Sequence, residues 1–197
     1  MYKKLYEIFT SIALGHAYDK HVLGNDPRSI FNNQNQFRIT QPLLGPDLFI
    51  ESKTDLALLI NNHILTALAN GVFYKYNNEP QAKFYSTKTN TFIVISPDNG
   101  DFGTAYRPTT KSVLWNQQVN MARKMSEPTK IPLINDPNTM HKQLKKFIED
   151  IIFNKKTYKK LDNRIAALKE LEPTEFQLCI ANLEDIADNK LTRFSYD

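Results

Sequence analysis

Apolar positions in this chain recur first at helical spacing, then at strand spacing, then at helical spacing again. Leu5, Ile8, Phe9, Ile12 and Ala13 repeat every three or four positions, predicting an amphipathic helix over about residues 2–20. It ends near Gly24, ahead of an Asn25-Asp26-Pro27 turn. Residues 25–52 have no period and are rich in Asn, Gln, Pro and Gly, so they read as an irregular loop of a length that is often functional. Thr54-Asp55 caps a second helix, with Leu56, Leu59, Ile60, Ile64 and Leu68 on one face and Gly71 closing it. From Val72 the period falls to two. The runs 72–76, 82–86, 91–96 and 103–108 carry β-branched and aromatic residues between turn-forming ones. Pro97-Asp98-Asn99-Gly100 is the strongest of these turns, because Asn-Gly tolerates positive φ. Three or four strands joined this way predict an antiparallel meander.

After Trp115 the helical period returns. Residues 128–137 hold three prolines and read as a linker. Three helices are expected near 139–153, 157–171 and 174–188, with Leu144/Phe147/Ile148/Ile151, Leu161/Ile165/Leu168 and Phe176/Cys179/Ile180/Leu183 as their apolar faces. The class is therefore α+β: N-terminal helices packed on a small antiparallel sheet, then a C-terminal helical bundle. The expected division is an α+β domain at 1–127, a Pro-rich linker at 128–138 and a helical extension at 139–197.

Composition adds little to this picture except in charge. An apolar content of 41% in 197 residues is enough for a core. Residues 1–124 hold 13 Lys and Arg against 9 Asp and Glu, whereas 125–197 hold 12 of each, so the net charge of +4 sits in the first part, as contact with a polyanion would favour. The single cysteine, Cys179, excludes an internal disulfide and a Cys-rich metal site, and its apolar helical setting reads as packing. The N-terminus mimics a signal peptide, but Glu7, Thr10 and Ser11 interrupt the apolar run. No stretch approaches the ~18 consecutive apolar residues of a membrane helix, so a soluble chain is expected.

Candidate chemistry gathers at 83–110. On the last strand Thr104 and Tyr106 look one way, while Ala105 and Arg107 start from the other, and Pro108 ends the ladder. Such a polar cluster at a sheet end suits a phosphate. Of four histidines, His63 interrupts an apolar helix face and reads as a satisfied core residue, and His141 reads as solvated. His16 and His21 are five residues apart and, counted along an α-helix, do not share a face. No His/Cys/Asp/Glu cluster has zinc spacing, so neither a metal nor a cofactor is expected. His21 follows Lys20 at the end of the first helix, where the lysine favours a neutral imidazole and the helix dipole a charged one. An exposed helix-end histidine is the plain alternative. Asp101-Phe102-Gly103 spells a kinase triplet without the accompanying kinase motifs and reads as a turn. Aromatics of the strands, among them Phe73, Tyr74, Tyr85 and Phe92, could stack on bases, although alternation sends about half of them into the core.

The segments GHAYDKHVLGND (15–26), the capped helix 54–68 and TFIVISPDNGDFGTAYRPTT (91–110) together resemble the toxin nuclease domains of the barnase/EndoU/colicin/RelE group. The likeness is strongest to colicin D-like and contact-dependent-inhibition toxins that cleave tRNA, and it covers roughly residues 10–115. It implies catalytic roles for Lys20, His21, Thr104, Tyr106 and Arg107, with His16, Lys83, Tyr85 and Lys111 touching substrate. The implied activity is a metal-independent endoribonuclease that leaves 2′,3′-cyclic phosphate and 5′-hydroxyl ends. The implied partners are RNA, in particular tRNA, and a cognate immunity protein, with delivery into a target cell. The helical part after 128 departs from that pattern. The alternative is a non-catalytic RNA-binding or protein-interaction module on the same fold.

Overall fold

The computed structural model describes residues 1–23, 50–108, 112–125, 134 and 136–194. Lys111 and most of the loop read at 25–52 lie outside them. The order of elements is α1 (Tyr2–Ile12), a π-helical segment (Ala13–Leu23), α2 (Lys53–Leu65), β1 (Asn70–Tyr76), β2 (Glu79–Ser86), β3 (Thr91–Ile95), β4 (Gly103–Tyr106), α3 (Ser112–Met125), α4 (Pro137–Phe153), α5 (Lys155–Leu171) and α6 (Pro173–Phe194). The class is α+β, as the alternation of periods predicts.

The four strands form one antiparallel sheet in the order β1-β2-β3-β4. Asn77 and Asn78 both take positive φ (49° and 63°) in the β1–β2 turn, which matches the twist of a two-residue hairpin. Ala82, Phe84, Ile93, Ile95 and Ala105 point to one face and join the main core. Val72, Tyr74, Tyr85 and Phe92 point to the other, where Trp115, Val119 and Ala122 of α3 cover them as a second apolar cluster. Ile134 pairs with Gly71 through two backbone hydrogen bonds of 2.9 and 3.1 Å, so part of the proline-rich stretch covers the β1 edge.

α1 runs through the centre, buried without a break from Leu5 to Ile12. The helix that follows the proline-rich stretch and its two successors do not have a separate core. Met140, Leu144, Phe147, Leu161, Leu168, Phe176 and Leu183 belong to the same cluster as Phe9, Ile12, Leu59 and Phe84. A buried carboxylate fastens α5 to the sheet: Glu79 accepts from Thr157 and pairs with Lys156 and Lys160 at 3.2 and 3.3 Å. Burial alone would raise the Glu79 carboxyl, but these partners outweigh it and hold the group below its usual range.

α2 opens two residues earlier than expected, because Ser52 rather than Thr54 is the cap. Its hydroxyl accepts from the Asp55 amide at 3.1 Å, and the Asp55 carboxylate accepts from the Ser52 amide at 2.9 Å. Among the described residues, no helix is long and apolar enough to cross a membrane.

Candidate active site

The first helix breaks at Gly15, where the backbone leaves helical values (φ −89°, ψ −159°). The break lets the His16 amide donate to Asp101 Oδ2 at 2.8 Å. A Cβ at position 15 would stand 2.5 Å from both Cβ and Cγ of Asp101, so only glycine admits the turn that carries this carboxylate. The Tyr18 hydroxyl donates to the Glu51 carbonyl at 2.6 Å and ties the segment to the start of α2.

Winding as a π-helix changes which side chains share a face. Its hydrogen bonds close over five residues instead of four, so positions i and i+5 come together. The rings of His16 and His21 lie 6.1 Å apart, edge to face. The α-helical count that separates them in the sequence is thereby overturned. The cause is local: the kink at Gly15 and the turns that follow widen the spiral.

Asp101 sits in the β3–β4 turn, which is held by Ser96 N to Phe102 O (2.9 Å) and Phe102 N to Asn99 O (2.8 Å). Phe102, 2% exposed, takes φ of 65°, a conformation that costs a non-glycine residue energy and persists because the ring is locked in the core. The next residue is glycine because a Cβ at Gly103 would meet the Val94 carbonyl oxygen at 2.0 Å. The carboxylate so presented is the centre of a network. Its Oδ2 lies 2.5 Å from His16 Nδ1, and its Oδ1 lies 3.3 Å from Nη2 of Arg164 on α5. Arg164 Nε donates to Ser11 Oγ at 3.3 Å, and Ser11 Oγ donates to the Asp101 carbonyl at 3.0 Å. The hydrogen bond from the His16 ring holds the Asp101 carboxyl below its usual range against the opposing effect of burial, with help from the His16 amide and the charge of Arg164. An ionised carboxylate only accepts, so the proton between them rides on His16 Nδ1. In the neutral form of the ring this makes Nε2 the nitrogen with the lone pair, on a side chain 29% exposed.

Tyr106 on β4 completes the row. Its ring stacks on His21 with centroids 5.2 Å apart and touches Phe92 at 5.5 Å. Burial pushes its phenol up, so it keeps its proton at neutral pH. Thr104, two residues before it on the same face, has a buried hydroxyl with no hydrogen-bond partner among the described residues. Lys20 is partly exposed beside His21.

The other residues singled out in the sequence lie elsewhere. Arg107 directly follows β4, and its charge acts on His63 of α2. Tyr85 is 2% exposed and donates to Asn90 Oδ1 at 2.9 Å. Lys83 lies beneath α3, bonded to Gln118 and over the Tyr74 ring at 5.5 Å, and burial lowers its ammonium pKa. Both side chains serve the cluster under α3 rather than the row of histidines. His63 is fully buried: its Nδ1 donates to the Leu59 carbonyl at 2.8 Å and its Nε2 accepts from the Thr89 hydroxyl at 2.7 Å.

Two members of the site escape the sequence. Asp101 does lie in a turn, as read, but that reading gave it no partner. Its position just before Thr104 and Tyr106 was the available signal. Arg164 has none, being one of six cations on α5. Among the described residues, no group of three or more His, Cys, Asp or Glu could hold a metal ion.

The arrangement can take up and release protons at two adjacent imidazoles, one of them oriented by a carboxylate. No family model matches the chain, and no curated protein or solved structure matches it.

Proposed function

We propose that this chain is an endoribonuclease in which His16 and His21 carry the proton transfers. The observation that supports it is the pairing of the two imidazoles, 6.1 Å apart, with His16 held by Asp101 and His21 stacked on Tyr106. Transfer of the phosphate to the neighbouring 2′-oxygen needs a base for that hydroxyl and an acid for the departing 5′-oxygen. His16, with a lone pair on Nε2, suits the base. His21 in its protonated form suits the acid. The O2′–P bond forms as the P–O5′ bond breaks, giving a 2′,3′-cyclic phosphate and a 5′-hydroxyl. Charge growing on the phosphate oxygens would meet the Lys20 ammonium and the hydroxyls of Thr104 and Tyr106. Arg107 would act at the strand end. DNA lacks the internal nucleophile, which favours RNA.

The resemblance of 15–26 and 91–110 to delivered toxin nucleases extends the proposal to tRNA as substrate, to entry into a target cell and to an immunity protein as inhibitor. A stacking platform on the sheet is the less favoured reading, because Tyr85, Phe92 and Trp115 are only 2%, 2% and 5% exposed under α3. Incubating the protein with total RNA in EDTA tests the proposal. Cleavage should survive chelation, leave cyclic-phosphate ends, and fall by about 10²-fold or more in His16→Ala and in His21→Ala. Intact RNA at every protein concentration, or cleavage untouched by both substitutions, contradicts it.

A further inference from the structure

The geometry points to Arg164, on α5, as a positioning residue that fixes the tautomer of His16 through Asp101. The rate effect rests on the ribonuclease reading, but the tautomer effect does not. Arg164 uses two arms of its guanidinium at once: Nη2 pairs with Asp101 Oδ1 at 3.3 Å and Nε donates to Ser11 Oγ at 3.3 Å. Ser11 in turn donates to the Asp101 carbonyl at 3.0 Å, so α1, α5 and the β3–β4 turn close a ring of contacts around one aspartate.

The ring leaves Asp101 one oxygen, Oδ2, for both donors of His16. With Oδ1 held by Arg164, the carboxylate plane cannot rotate without giving up a charge-assisted contact. His16 then meets a fixed acceptor at Nδ1, which places its proton there and its lone pair at Nε2, on the side of the ring away from Asp101. A lysine would meet Asp101 as a point charge on a flexible stem, whereas the planar fork of Arg164 holds Asp101 and Ser11 in one fixed geometry. Among the described residues, Asp101 and the His21 ring contact His16, and Arg164 of α5 pairs with Asp101. Arg164 is 20% exposed and lies behind Asp101, so it supports the imidazole without standing in for it.

The experiment reads the imidazole nitrogens of His16 by ¹⁵N NMR at about pH 8, where an ordinary histidine is neutral. Wild-type protein should show Nδ1 protonated and Nε2 bare. Arg164→Gln should give a mixture of the two tautomers and lower kcat on the order of tenfold with KM little changed, as loss of one charge-assisted contact would. Arg164→Lys, which keeps the charge and loses the fork, should recover part of both. A His16 tautomer and kcat unmoved by Arg164→Gln overturn the inference. If Arg164→Gln does not fold, Ser11→Ala decides: it removes the acceptor of one arm of the fork and should broaden the tautomer distribution, and an unchanged spectrum overturns the inference. A tautomer shift in a protein that cleaves no RNA upholds the role of Arg164 while defeating the ribonuclease reading.

Discussion

His63 and His16 show how one side-chain type takes opposite work from its surroundings. His63 lies wholly inside, and burial lowers its pKa from 6.5 to about 4, with the Leu59 carbonyl opposing and the charge of Arg107 adding to the shift. The unfolded chain therefore binds a proton at this site first as pH falls. The neutral, bonded form contributes fully above pH 6.5, and that contribution is lost progressively down to pH 4. The loss amounts to about 3 kcal/mol across that interval. Urea midpoints taken at steps between neutrality and pH 4 should drop through this window. Asp101 and Glu79, both held below their usual values of 3.8 and 4.5, add their own losses only below those values. A flat profile down to pH 4.5 would show that His63 is protonated in place. His16, by contrast, keeps a partly exposed ring against a carboxylate, where proton exchange with a ligand is open.

At the scale of elements, the π-helical segment decides what the site is. Its kink depends on the absence of a side chain at Gly15. Gly15→Ala should push the β3–β4 turn away, separate Asp101 from His16 and cost about 1–3 kcal/mol of stability by overpacking. Nuclease activity should then fall further than the folded fraction does, a comparison that denaturation curves and initial rates give together. The strands, their antiparallel order and the face of Tyr106 were legible, because period-two runs and Asn-rich turns write the sheet into local sequence. His63 was legible as a core residue for the same kind of reason, its place within an apolar stripe. The pairing of His16 with His21 was not, since spacing arguments assume the commoner helix and nothing in Ala13–Leu23 advertises a wider one. Tyr85 and Lys83 were placed near substrate by their strand. Which face α3 would cover is a tertiary fact that β2 alone does not carry. Asp101 and Arg164 meet only because distant segments fold onto α1.

For the whole molecule, the consequence is that the C-terminal helices are structural partners of the site. They bring Met140, Phe147, Leu161, Leu168 and Phe176 into the core that also holds α1, and they bring Arg164 to Asp101. A chain cut after residue 127 should lose cooperative unfolding and be digested rapidly by protease, read by circular dichroism and limited proteolysis. A stable, cooperative 1–127 fragment would show that the first part keeps a sufficient core by itself. Proton exchange between two neighbouring imidazoles and RNA is read from the pH dependence of single-turnover cleavage of an oligoribonucleotide. The profile should be bell-shaped and should lose one limb in His16→Ala and the other in His21→Ala. A profile whose two limbs both persist in either variant would contradict it.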